Sequence, residues 1–313
     1  MSHDTSPYLK CVSLSFVLIF FLFYKGKIVA GEANHESCMI KVFNENGVLE
    51  RTINNAHSSY INRLKILPNG LMASSSSDMS VKIWNTSDWS LIRNYTQHTD
   101  LTMGLEYIRE DTIASGSYDG TIRIWSISSG ATLSTVQVGS PVWALQMLPT
   151  GMLASGDLKG EIKLWTIDSG SLAQTLKGHK DCINDLALVN NDQILASSSR
   201  DKTVRLWDFR AGAGIRVLSG HTNSVCGLKA ISSTLMASAS VDRTIRIWDS
   251  TNGALVKTLT GHTDSILRSL DLLNESVLVS GSLDRTIKLW NVSSGQVSKT
   301  IQANMAIQCL IVI

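Results

Sequence analysis

Apolar residues in this chain come in short bursts separated by residues that favour turns. Residues 183–188 form one burst, and after a turn Ile194-Leu-Ala-Ser-Ser198 forms the next. A tight turn carrying Asp201 leads into Thr203-Val-Arg-Leu-Trp207, and after Ala211-Gly-Ala-Gly214 the chain continues as Ile215-Arg-Val-Leu218. Such runs, rich in β-branched and aromatic residues and bounded by turn residues, predict four short antiparallel strands. No helical period runs through them.

The same pattern recurs on a lattice of tryptophans. Trp84, Trp125, Trp165, Trp207, Trp248 and Trp290 lie 41, 40, 42, 41 and 42 residues apart, a period that marks a repeat architecture. Ala114-Ser-Gly-Ser-Tyr-Asp-Gly-Thr-Ile-Arg-Ile-Trp125 and Val279-Ser-Gly-Ser-Leu-Asp-Arg-Thr-Ile-Lys-Leu-Trp290 show how closely the copies agree. One four-stranded sheet cannot bury both of its faces, so the copies must stack, and a closed ring removes most of the exposed edges. An all-β propeller is the expected result.

Gly178-His179, Gly220-His221 and Gly261-His262, each followed about 27 residues later by a lattice Trp, with Trp207-Asp208 and Trp248-Asp249 closing two copies, resemble the WD40-repeat family. The resemblance runs from about residue 27 to the end and implies a seven-bladed propeller over residues 27–313. Six copies are plain, and the seventh is expected from both ends of the chain. Phe43 stands 41 residues before Trp84, so Met39-Ile-Lys-Val-Phe43 copies a third strand. Residues 47–53 supply an outer strand, residues 27–31 a second strand, and the apolar run 305–313 the inner strand that closes the ring.

Five copies carry His, Ser, Asp and Trp at matching offsets: His57, Ser74, Asp78 and Trp84; His98, Ser115, Asp119 and Trp125; His179, Ser197, Asp201 and Trp207; His221, Ser238, Asp242 and Trp248; His262, Ser280, Asp284 and Trp290. Ser, His and Asp invite comparison with a hydrolase triad, but a catalytic site occurs once and needs an exposed nucleophile. The family resemblance implies a structural hydrogen-bonded tetrad at these positions instead. The copy ending at Trp165 has Val138-Gly139-Ser140 where the His belongs and Lys159 in the turn, and the blade completed by Phe43 also lacks His and Asp. Those two blades are expected to be the loosest, or else the ones a partner reshapes.

Two residues before each lattice aromatic stands a base: Lys41, Lys82, Arg123, Lys163, Arg205, Arg246 and Lys288. Their aliphatic stems are expected to cover the seams between blades, with a polyanion-binding collar as the alternative. The resemblance also implies that partners dock where the inner-strand starts meet the turns. The starts offer Tyr60, Asn62, Met103, Trp143, Asn184, Cys226 and Leu267; the turns offer Ser77, Tyr118, Leu158, Arg200, Val241 and Leu283. Only Trp143 and Trp89 lie off the Trp lattice. Trp143, Tyr118, Tyr60 and Arg200 form the expected hot patch, with a channel plug as the other role open to Trp143.

Composition narrows the function. Hydrophobic residues make up 43% and charged residues 17% of the chain, in keeping with short buried strands. The net charge is +2, with no run of like charge, so nucleic acid is not the expected partner. Five scattered cysteines without a Cys-x-x-Cys pair argue against a metal site and a disulfide framework. With no phosphate-cradling loop and no His pair at metal spacing, no cofactor is expected. The expected activity is that of a monomeric, non-catalytic scaffold or adaptor, cytoplasmic or nuclear, that binds a protein or peptide on one propeller face.

The segment before the propeller, residues 1–26, leaves three readings open. Residues 11–24 are an uncharged stretch of 14, shorter than the roughly 20 that span a bilayer. They fit a signal-peptide core or anchor, which would make a membrane-tethered or secreted propeller, although Lys25 and Lys27 stand where a cleavage region belongs. Residues 6–14 also resemble residues 140–148, so residues 8–14 compete with 305–313 for the closing inner strand. Finally, the Phe, Leu and Ile richness of 16–23 would arise from translating a pyrimidine-rich intron.

Overall fold

The computed structural model describes residues 26–33 and 38–313. They form seven antiparallel sheets of four strands each. We number them as blades in order of their place in the chain. Blade 1 contains both ends, and blades 2 to 7 occupy residues 61–95, 102–137, 142–176, 183–218, 225–259 and 270–302. The inner strands of consecutive blades pack against each other, and the inner strand of blade 1 touches those of blades 2 and 7, so the ring is closed.

Burial is graded from the centre outward. The second strand of blade 2, Leu71–Ser76, is buried from Met72 onward, whereas the outer strand of blade 5, Ala213–Leu218, is exposed until Leu218. The core lies in seven apolar seams, each built by two neighbouring blades. Each seam takes one lattice aromatic, projected from the third strand toward the preceding blade: Trp84, Trp125, Trp165, Trp207, Trp248, Trp290 and, between blades 7 and 1, Phe43. The sequence period is thus the period of the seams. Trp89 is also buried, in the seam between blades 1 and 2.

Blade 1 is assembled as expected from the two ends. Its strands are Ile307–Val312, Ile28–Glu32, Cys38–Phe43 and Leu49–His57, from inner to outer. Ile28 pairs with Val312 and Ala30 with Leu310, while Lys27 and Ile313 exchange backbone hydrogen bonds of 3.0 and 2.8 Å. The closing strand is therefore the C-terminal one; residues 8–14 and 11–24 lie outside the described residues. The outer strand runs beyond 47–53 to His57 across register shifts, with Asn55 in the left-handed region at φ 54°. Among the described residues, no helix is long and apolar enough to cross a membrane.

Candidate functional site

The repeated polar residues form five chains of hydrogen bonds. In blade 5 the Trp207 indole donates to Ser197 Oγ at 2.8 Å; Ser197 lies 2.8 Å from His179 Nε2, and His179 Nδ1 lies 2.7 Å from Asp201 Oδ2. Blades 2, 3, 6 and 7 repeat this within 2.7–2.9 Å. Only one proton arrangement satisfies every group: the serine hydroxyl donates to Nε2, and Nδ1–H donates to the carboxylate of a neutral imidazole. The five serines have no exposed surface, and each oxygen already accepts the indole N–H. None can serve as a hydrolase nucleophile as it stands.

A fifth member joins each chain. Ser80, Thr121, Thr203, Thr244 and Thr286 donate their hydroxyls to the same aspartates at 2.5–2.7 Å. The backbone N–H following each histidine donates to the other carboxylate oxygen. One carboxylate thus ties the turn to the loop between blades. The four-residue reading of the sequence omits this hydroxyl, although its signal is present: every such turn reads Asp, one residue, then Ser or Thr. The middle residue is left-handed, including Met79 at φ 69° and Arg243 at φ 70°.

Burial shapes the titration of these groups. It would raise the Asp78 carboxyl, but hydrogen bonds from His57, Ser80 and the Ser58 backbone prevail and hold it below the usual carboxylate range. Asp119, Asp201, Asp242 and Asp284 are lowered by the same balance. Desolvation pushes His57, His98 and His262 below the ordinary imidazole value of 6.5, outweighing their aspartates.

Blade 4 has a different network where the tetrad is missing. Trp165 still donates to Ser155 at 2.8 Å. Asp157, fully buried, stands where other blades place Ser76, Ser117, Ser199, Ser240 or Ser282. Its Oδ1 accepts the N–H groups of Lys159 and Glu161 at 3.0 and 2.9 Å, capping the turn that Lys159 cannot cap. Its Oδ2 faces Lys163 Nζ at 3.4 Å. The blade expected to be loose therefore carries a substitute polar network.

Three of the seven bases reach the loops between blades. Lys41, Lys82 and Lys163 donate to the carbonyls of Ala303, Ala56 and Val138 in the loops between blades, at 2.8, 2.6 and 3.1 Å. Lys288 reaches Thr300 at 3.1 Å. The Lys82 ammonium and the Arg246 guanidinium each lie 6.0 Å from the ring of their own blade's tryptophan. These contacts accord with seam covering.

At one end of the ring the turns are bonded to the inner-strand starts. The N–H groups of Ser77, Tyr118, Leu158, Arg200, Val241 and Leu283 donate to the carbonyls of Tyr60, Leu101, Pro141, Cys182, Ser224 and Ser265, at 2.9–3.0 Å. Asn62, Met103 and Asn184 are buried here. The Asn62 amide bridges to Ser77 and the Thr102 carbonyl, and that of Asn184 to Ser224 and the Val225 carbonyl, so both amides stitch adjacent blades. Tyr60 is half-buried in blade 2.

Three of the expected residues meet. Half-buried Trp143 has Tyr118 edge-on at 5.8 Å and the exposed Arg200 guanidinium 4.5 Å from its ring. A second guanidinium, from Arg268, lies 5.0 Å from the same ring. The strand register makes Arg268, not Leu267, the blade 7 counterpart of Trp143: Leu145 pairs with Ser155 and Leu270 with Ser280, and each lies two residues further on. One extra residue precedes the blade 7 inner strand, so counting from the histidine misses the arginine by one place. Deeper in the channel, Arg63 reaches across to Asp185 at 2.6 Å. Arg63, Asp185 and Arg268 also line a cavity of about 450 Å³ along the axis, with Lys65 paired to Glu106 at 2.7 Å and Lys229 paired to Asp271.

Cys38, Cys182, Cys226 and Cys309 are free and buried. Burial raises the Cys182 and Cys309 thiols to about 12. Among the described residues no group of three or more His, Cys, Asp or Glu is arranged to hold a metal ion.

Comparison with known proteins agrees with this geometry. The model of the family described as WD domain, G-beta repeat matches residues 47–85, 89–126, 170–208, 212–249 and 253–291, together more than half of the chain. Between its second and third segments the match skips residues 127–169, which hold the three inner strands of blade 4, where the tetrad is replaced. The chain is 26% identical over 183 residues to a U3 small nucleolar RNA-associated protein 15 homolog of Xenopus tropicalis, covering 57% of this chain and 35% of that protein. It is 40% identical over 128 residues to the nuclear distribution protein PAC1 of Fusarium vanettenii, covering 37% and 28%. With the COMPASS component SWD3 of Saccharomyces cerevisiae it shares 37% identity over 68 residues, covering 21% and 22%. The matches thus span about a third or less of these curated relatives. The crystal structure of a computationally designed protein, Ika8, superposes with a TM-score of 0.68 at 26% identity, over 91% of this chain and 89% of that one.

Proposed function

The chain belongs to the WD40-repeat family, and from that premise we propose that it is a non-catalytic scaffold or adaptor, docking a protein or peptide on the face that carries Trp143, Tyr118 and Arg200. The observation that carries this reading is the contrast between repeated and unrepeated polar groups. Tetrads and turn hydroxyls recur and bond to one another, and several of the bases recur on loop carbonyls, whereas the Trp143 cluster occurs once among the described residues, at an end of the ring. Trp, Tyr and Arg are the residue types enriched among interface hot spots. SWD3, a relative, is by name a component of an assembly, which supports a role in complexes. A monomeric propeller in the cytoplasm or nucleus fits the balanced charge.

The test is affinity capture with the full chain and with two variants, Trp143→Ala and Arg200→Glu, with thermal melting measured alongside. We expect both to lose captured partners. Arg200 is exposed, so Arg200→Glu should keep the wild-type melting temperature even if Trp143→Ala does not. Full capture by a folded Arg200→Glu variant would contradict the reading. The uncharged stretch 11–24 supports a second reading, a tethered or secreted propeller. Comparing the localisation of fusions with and without residues 1–26 separates the two.

A further inference from the structure

Among the described residues, the cations lining the channel form ion pairs with one exception. Arg63 meets Asp185, Lys65 meets Glu106, and Lys229 meets Asp271. Arg268 is 8% exposed, yet it has no carboxylate within ion-pair distance. Its Nε reaches the Asn184 carbonyl at 3.4 Å, and its terminal nitrogens make no hydrogen bond among the described residues. Asp185 makes its close contacts elsewhere. One carboxylate oxygen takes Arg63 and the Leu186 N–H, and the other takes the Leu228 N–H at 2.8 Å. Arg268 thus shares Asp185 with Arg63 as its nearby counter-charge, and Arg63 next to it adds like-charge repulsion, which makes burying the guanidinium costly.

The surroundings of Arg268 hold donors without acceptors. The Trp143 indole N–H is buried and bonds to nothing. Arg200, on the same ring, forms no ion pair and makes no side-chain hydrogen bond. The cysteines nearby, Cys182, Cys226 and Cys309, are neutral, with burial raising their thiols. A ligand complementary to this corner must be an acceptor without donors, and an ionised carboxylate meets that description. Charge count sets its valence. Arg63, Arg268 and Asp185 leave one buried positive charge, while Arg200 is hydrated at the surface. One negative charge balances the corner, which favours a carboxylate over a dianionic phosphate.

We propose that an acidic side chain of the partner, a glutamate or aspartate, docks beside Trp143 with its carboxylate on the Arg268 guanidinium and Arg200 at the rim. This rests on the docking reading given above and names the chemistry the face selects. Guanidinium and carboxylate are matched in shape as well as charge, and Tyr118 supplies an apolar wall for the residue next to the acid.

The test uses the ¹⁵N-labelled full chain and follows the Trp143 indole N–H signal, identified by its absence in Trp143→Phe. Short peptides with a central Glu-Glu, Gln-Gln or phosphoserine are titrated at low and at 0.15 M salt. The expected result is a saturable shift with the Glu peptide that weakens as salt rises, with no shift from the Gln peptide. In Arg268→Met, which keeps the bulk and removes the charge, binding should weaken at least ten-fold. Should that variant not fold, the exposed substitution Arg200→Gln provides the second arm and should weaken binding several-fold. An unmoved indole signal at millimolar Glu peptide, equal binding by a folded Arg268→Met, or tighter binding of the phosphoserine peptide would each overturn the proposal. Captured partners separate the two levels. If Trp143→Ala loses a partner that Arg268→Met retains, the docking face stands and the acidic assignment fails; if both retain it, both fail.

Discussion

A buried histidine with a serine on one nitrogen and an aspartate on the other has room for one proton, and this constraint governs the chain at the scale of the residue. Removing the imidazole leaves a buried hydroxyl and a buried carboxylate short of partners. We expect His221→Ala to lower the unfolding free energy by about 2–4 kcal/mol in denaturant titration, from lost hydrogen bonds and a cavity. A change within experimental error would mean that the tetrad is decorative. The sign of the pH dependence follows from the same geometry. Burial holds His57, His98 and His262 below 6.5, so the unfolded chain binds more protons than the folded one once the pH drops below that value. Stability should be full above about pH 7 and fall on acidification, by up to about 1.4 kcal/mol per pH unit for each histidine. The lowered aspartates add a further loss below pH 4. Melting temperatures from pH 8 to 5 at fixed ionic strength check this, and a flat or rising profile on acidification would refute it.

At the scale of the element, the turn between second and third strands repeats Asp, one residue, then Ser or Thr in five blades, and blade 4 shows what a variation demands. With Lys159 in place of the turn aspartate, the carboxylate that caps the turn comes from Asp157, two residues earlier, and Lys163 bends inward to face it. Asp157→Ala should cost about 2–4 kcal/mol, because it uncaps two buried N–H groups and leaves Lys163 with only the Val138 carbonyl and Glu161. Differential scanning calorimetry of that variant would show a drop in melting temperature well beyond that of a surface change such as Glu110→Ala. The repeated elements were legible because strand period, turn chemistry and the tryptophan lattice all point the same way. The substitute network was not, since Asp157 breaks the repeat and its role depends on where a second-strand side chain points. Arg268 was missed for a related reason: a one-residue insertion before a strand is invisible to spacing counted from a histidine, and only hydrogen-bonded register reveals it. Inner-strand starts lie at an end of the ring, which makes Asn62, Met103 and Asn184 look like surface in the sequence, yet all three are buried and the two asparagine amides turn to the neighbouring blade.

On the scale of the whole molecule, the ring is held shut by noncovalent pairing of its two ends. The last seam contains Phe43, Ile301 and Ile307, drawn from opposite ends of the chain. At Gly281 the second strand of blade 7 approaches so closely that an added Cβ would lie 2.6 Å from Ile307. Deleting residues 305–313 removes the inner strand of blade 1 and one wall of that seam. The expected outcome is a single cooperative transition displaced to much lower temperature, or no folded protein. An unchanged melt would mean that closure does not hold the ring together.

The propeller supplies rigidity in seven similar blades, and we propose that recognition falls to the unrepeated cluster around Trp143. Hydrogen exchange of the full chain, free and bound to a captured partner, tests this assignment most directly. The account predicts that protection gained on binding concentrates in the peptides containing Tyr118, Trp143, Arg200 and Arg268. Protection confined to the outer strands, or to the opposite end of the ring, would contradict it.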